Sequence, residues 1–129
     1  MDYATFIGEV QQRAELASQG EALRITRATL TTLGERLEAG EAADLAGPLP
    51  MEIDRFLEEA DSGQRFEYNE FVDRVAARAS AEDADANFYA NVVLSVVGET
   101  VPDPEFEDVR DQLPDEYEDL FELFVTEDD

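Results

Sequence analysis

Apolar residues recur at spacings of three and four along most of the chain, the period of a helix that buries one face. Phe6, Ile7, Val10, Ala14 and Ala17 form the first such stripe, with Glu9, Gln12 and Arg13 off it, and predict a helix from Tyr3 to Ala17. Asp2 stands where an N-cap belongs, and Met1 is placed to pack on Phe6 as a hydrophobic staple. Ser18-Gln19-Gly20-Glu21 has capping-box spacing and opens a second helix, Gly20 to Ala39, on the stripe Leu23, Thr26, Leu30, Leu33 and Leu37. Gly40 then reads as its C-cap. A short helical turn from Glu41 to Gly47 is broken by Pro48-Leu49-Pro50. Proline has no N–H to donate and suits a first turn, so Pro50 starts a fourth helix, Met51 to Ala60, buried through Leu49, Ile53, Phe56 and Leu57.

After a five-residue break, Asp61 to Arg65, the same order returns. Phe66 and Phe71 staple the next helix start, and Phe71, Val72, Val75 and Ala79 match Phe6, Ile7, Val10 and Ala14 at an offset of 65. Ser80 to Asp83 reads as a second capping box, and the offset then falls to 64, one residue having been lost in the loop. Leu30, Leu33, Gly34, Glu35 and Leu37 align with Leu94, Val97, Gly98, Glu99 and Val101. The clearest echo sets LAGPLPMEIDRFL, Leu45 to Leu57, against VRDQLPDEYEDLF, Val109 to Phe121. Leu49-Pro50 there falls on Leu113-Pro114, Glu52 on Glu116, and Ile53 on Tyr117. The chain reads as all-α, with two tandem copies of a roughly 64-residue unit, 1–60 and 66–124. Units this short share one core, so a single domain, 1–129, with seven to eight helices is expected.

Phe88 to Val101, FYANVVLSVVGETV, is rich enough in valine to favour a strand. Its register with the plainly helical TLTTLGERL overrides that propensity. A helix from Glu82 to Val101 with apolar residues nearly all round belongs at the centre of the fold. Pro102 and Pro104 end it; a short helix near Glu105 to Asp111 and a last one from Asp115 to Phe124 follow, then a frayed acidic tail, Val125 to Asp129. From Pro102 onward the chain carries thirteen acids and one arginine. Phe106, Val109, Leu113, Tyr117, Leu120, Phe121 and Phe124 are nonetheless spaced to pack, which makes this a solvated face over a buried stripe.

These segments resemble the domain-of-unknown-function family 2267 over nearly the whole length of the chain. The resemblance is carried by Phe6-Ile7-Gly8-Glu9-Val10 and its copy Phe71-Val72-Asp73-Arg74-Val75, by Thr32-Leu33-Gly34-Glu35-Arg36-Leu37, and by QLPDEYEDLF from Gln112 to Phe121. It implies an all-helical tandem fold of small prokaryotic proteins with no assigned activity, and it transfers no catalytic residues. The second unit departs in placing Asn87 and Tyr89 where the first has Leu23 and Ile25.

Composition then narrows the chemistry. With no cysteine and no histidine, disulfides, thiol nucleophiles, zinc sites of the usual kind and histidine triads are out. No apolar run approaches the ~20 residues of a membrane span, and the start, MDYATFIGEV, has neither a basic n-region nor an h-region, so a soluble cytoplasmic protein is expected. Thirty-three acids face nine bases, all arginine, for a net charge of −24. Such a charge repels nucleic acid and anionic membranes. Three readings of it compete. A disordered chain conflicts with 43% apolar residues at helical spacing. A nucleic-acid mimic is a second. Adaptation to a salt-rich cytoplasm, where carboxylates hold water and lysine stems are avoided, is the reading adopted.

Asp83-Ala84-Asp85-Ala86-Asn87 alternates like an EF-hand loop, but Phe88 stands at the glycine turn and Leu94 at the bidentate glutamate. Glu59 to Glu70 fails at Gln64, the glycine position. Dinuclear carboxylate sites in bundles couple glutamate to histidine, which is absent. No serine sits in a nucleophile elbow and no glycine run cradles phosphate. Arg24 and Arg27, one turn apart, could face an anion or an acidic partner. Arg36 is expected to pair within its helix with Glu35, Glu38 or Glu41. Tyr68, Tyr89 and Tyr117 offer a polar handle on an apolar body, suited to an interface or to a core. The functional expectation is a non-enzymatic interaction module, self-associating or docking a protein partner, without cofactor or metal. Its rival is a Ca²⁺- or Mg²⁺-binding protein using Asp83, Asp85 or Glu70.

Overall fold

Every residue from Ala90 to Gly98 is buried, and all of them lie on one helix, Asp83–Thr100. A segment whose valines prefer strands is therefore helical, because covering it on all sides removes the need for a polar face. The computed structural model describes residues 1–122. Seven α-helices run in order: α1 (Tyr3–Arg13), α2 (Gln19–Arg36), α3 (Ala39–Ala46), α4 (Met51–Glu58), α5 (Tyr68–Ala79), α6 (Asp83–Thr100) and α7 (Asp103–Gln112). A 3-10 helix, Asp115–Phe121, follows, and no strand occurs among the described residues. The fold is all-α. Phe124 and the acidic tail lie outside the described residues.

The two 18-residue helices organise the rest. α2 packs on α1, α4, α5 and α6; α6 packs on α1, α5 and the 3-10 helix; α3 bridges α4 and α7. Leu30, Leu33 and Leu37 with Leu94, Val97 and Val101 are buried in one hydrophobic cluster that draws on every element. Gly34 allows a close approach: a Cβ there would lie 2.7 Å from the Leu57 carbonyl oxygen and 2.8 Å from the Ala60 side chain.

Three helix ends and the type of the last element depart from expectation for local reasons. α1 stops at Arg13 rather than Ala17 because Glu15 turns left-handed (φ 56°) and Leu16 N–H reaches back to the Gln11 carbonyl at 2.9 Å. Ser80, 65 residues on, repeats that turn (φ 57°), with Ala81 N–H on the Ala76 carbonyl. Ser80 is thereby consumed as a C-cap, so the second capping box does not form and Glu82 caps α6 without a side-chain bond. In the first loop Ser18 is free to cap: its Oγ accepts from Glu21 N–H at 3.2 Å, and the Glu21 carboxylate accepts from Ala17 N–H at 3.1 Å. α2 ends at Arg36 because Leu37 goes extended into the core, which leaves Gly40 in the first turn of α3 instead of capping α2. The last element is 3-10 rather than α; its three-residue turn stacks Tyr117 and Leu120 on one side, both buried.

Two arginine clamps cross the molecule. Arg13 at the end of α1 grips Glu99 of α6 through both oxygens at 2.6 and 2.8 Å and donates to Ser95 Oγ at 3.3 Å. Arg78 at the end of α5 grips Glu35 of α2 in the same bidentate way, 2.8 Å twice, and donates to Thr32 Oγ1 at 2.7 Å. The arginines stand 65 residues apart and the glutamates 64, the offsets of the sequence echo. These clamps tie α1 to α6 and α5 to α2.

Candidate functional site: an arginine-lined groove

A three-residue step on α2 puts Arg24 and Arg27 on one exposed face. Across from them α4 presents Arg55 and Phe56, and α5 presents Arg78. With Leu23, Ala28 and Thr31 these side chains line a groove of about 570 Å³. It follows α2 from Gly20 to Thr31, a rise of ~16 Å at 1.5 Å per residue. Phe56 forms an apolar patch between charges, with the Arg27 guanidinium 5.8 Å and the Arg55 guanidinium 5.9 Å from its ring centre. Its counterpart in the echo, Leu120, is fully buried, whereas Phe56 keeps an edge in the groove.

Five of the nine arginines have no carboxylate partner among the described residues: Arg36 and Arg110 lie over the Tyr117 and Phe121 rings, and the other three line this groove. Arg13, Arg65, Arg74 and Arg78 all have carboxylate partners. Arg24, Arg27 and Arg55 have none among the described residues, in a chain with 33 acids. Arg78 belongs to both sets, since it lines the groove while held by Glu35. Burial disfavours the Glu35 charge, but hydrogen bonds from Arg78 and Arg74 outweigh it and hold that carboxyl below its ordinary range.

Arg36 does not pair within its helix. It turns inward to 6% exposure, donates from Nε to the Phe66 carbonyl at 3.0 Å and lies 5.3 Å over the Tyr117 ring. Two of the three glutamates expected to hold it are used elsewhere: Glu35 by Arg74 and Arg78, Glu38 by Arg65. Tyr117 is buried and donates its hydroxyl to that same Phe66 carbonyl at 2.7 Å, and burial pushes its pKa up to about 12. Tyr68 packs edge-on to Tyr117 and stacks on Phe71, with its hydroxyl donating to Asn87 Oδ1; burial raises its pKa as well. Neither tyrosine reaches the groove. Tyr89 sits half-buried beside Phe88 on α6.

Leu49 and Leu113 are buried, and Pro50 and Pro114 stand directly before α4 and the 3-10 helix, so each leucine–proline pair sets where the following element begins. The profile of a family described as "Uncharacterized conserved protein (DUF2267)" matches residues 3–120. The chain belongs to the DUF2267 family. No curated protein matches it. The DUF2267 match spans every groove residue from Gly20 to Arg78 and both leucine–proline pairs.

Of the groove, only Arg24 and Arg27 stood out in the sequence. Arg55, Phe56 and Arg78 do not stand out: Phe56 reads as part of the buried side of its helix, and Arg55, with Glu52, Asp54, Glu58 and Glu59 within reach along the chain, reads as an intrahelical partner. Glu70, Asp83 and Asp85 do not come together: Glu70 pairs with Arg74, Asp83 lies beside Asp73, and no group of three carboxylates placed to hold an ion occurs among the described residues. Nor is any described helix long and apolar enough to cross a membrane.

Proposed function

We propose that this chain is a non-enzymatic interaction module whose arginine-lined groove docks an acidic segment of a protein partner. One observation carries the reading: Arg24, Arg27 and Arg55 converge on one groove without carboxylates although acids outnumber bases 33 to 9. Guanidinium is suited to the task because its planar fork grips carboxylate at two points. That matters in brine, where a screening length of ~3 Å at 1 M salt removes long-range attraction and leaves direct contact. The composition supports a protein adapted to such a cytoplasm. Phe56, Leu23 and Ala28 would seat an apolar side chain between the partner's acids.

A labelled amphipathic peptide with glutamates one turn apart around a leucine provides the probe. Anisotropy in high KCl should show saturable binding to the wild type and at least a tenfold loss in Arg24→Glu/Arg27→Glu, about 1.4 kcal/mol or more. Equal binding by both proteins, with equal melting temperatures, would remove the groove from consideration.

A further inference from the structure

The surface 64 residues on from the groove carries the opposite charge. Where α4 presents Arg55 the 3-10 helix presents Asp119, and where α2 presents Leu23 α6 presents Asn87. Asn87 and Asp119 line a shallow pocket of about 480 Å³ together with Tyr68, Asp73 and Asp83. Asp73, Asp83 and Asp119 make no ion pair among the described residues. Hydrogen bonding to Asp83, reinforced by its charge, pushes the Asp73 carboxyl above the ordinary range, as expected of acids crowded without a cation.

We infer that the acidic partner of the groove is this second-unit face on another copy of the chain, docked head to tail. The inference rests on the groove being a docking site for acidic polypeptide. Three guanidiniums without carboxylates, Arg24, Arg27 and Arg55, face three carboxylates without guanidiniums, Asp73, Asp83 and Asp119. The two faces are different surfaces of one molecule, so the contact is heterologous, and each copy can engage one neighbour through each face. Two chains of charge −24 repel at a distance. Raising KCl from about 0.1 to 1 M shortens the screening length from ~10 to ~3 Å, which suppresses that repulsion more than it weakens groups in contact. Self-association therefore strengthens with salt over this range.

The test uses the full chain in sedimentation velocity over a concentration series at both salts. Wild type should gain mass with concentration, more so at the higher salt. Arg24→Glu/Arg27→Glu loses the groove and Asp83→Arg/Asp119→Arg inverts the acidic face, so each alone should run as a monomer. Mixed one to one, they should co-assemble again, because the intact groove of one variant meets the intact acidic face of the other, and the two reversed faces are themselves complementary in charge. Thermal melts confirm that both are folded, and Arg24→Gln/Arg27→Gln with Asp83→Asn/Asp119→Asn replaces any that is not. Variants that assemble alone, or a mixture that stays monomeric, overturn head-to-tail docking. A monomeric wild type that still binds the acidic peptide rejects self-docking and leaves the groove reading intact; loss of both rejects both.

Discussion

Glu35 accepts from Arg78 and Arg74, and its side chain is only 13% exposed. Because its folded pKa lies below its ordinary value of 4.5, its stabilisation is complete above that pH and is lost as pH falls through the folded pKa. Glu35→Gln should therefore lower stability by ~1–3 kcal/mol near neutral pH, since two guanidiniums lose a charged acceptor. Thermal melts of the two proteins should converge as the buffer drops below 4.5; a gap constant with pH would mean that the glutamate acts by shape alone. Leu113 tests packing rather than charge. At 6% exposure its truncation to alanine should cost ~2–5 kcal/mol by chemical denaturation. A loss below ~0.5 kcal/mol would place the leucine–proline motif outside the core.

Between elements, the contact at Gly34 decides how closely α2 and α4 approach. Alanine favours a helix over glycine by ~1 kcal/mol, and at Gly8, where an added Cβ meets nothing within 4 Å, Gly8→Ala should stabilise by ~0.5–1 kcal/mol. At Gly34 the same change thrusts a methyl group to 2.7 Å from backbone oxygen that cannot rotate away. The overpacking cost of ~1–3 kcal/mol then exceeds the propensity gain, so Gly34→Ala should destabilise. Paired denaturation curves check both signs, and a stabilising Gly34→Ala would mean that α4 can move off α2 freely. Helix termini follow the same logic. Ser18 caps α2 because three residues separate Glu15 from the start of that helix; one residue fewer in the second loop makes Ser80 the C-cap of α5.

At the scale of the whole molecule, charge opposes compaction. Thirty-three acids against nine bases repel across distances that ~0.1 M salt barely screens. The melting temperature should rise steeply between about 0.1 and 2 M KCl as the screening length shortens. A flat profile would show local pairing to suffice, and Arg13, Arg65, Arg74 and Arg78 are the pairs that would account for it. The reciprocal clamps Arg13–Glu99 and Arg78–Glu35 also bear on the duplication. If 1–60 and 66–124 are two copies, superposing them should bring Glu15 onto Ser80 and Glu35 onto Glu99.

Sequence alone determined the elements and their order. Period-3.6 stripes, proline breaks and an internal echo are local signals, and they placed helices at the positions of all eight described elements, including α6 against its valine propensity. They also picked out Arg24 and Arg27. What sequence could not decide was where helix ends spend their caps, and which charges find partners. Glu15 and Ser80 take left-handed turns because the loop must redirect the chain into a neighbour. Arg36 abandons nearby glutamates for Phe66 and Tyr117, which approach it only in the folded chain. The groove draws Arg24, Arg55 and Arg78 from three helices that packing brings together. Every arginine but Arg27 has an acid within four residues along the chain, so for the others only tertiary contacts settle which stay unpaired.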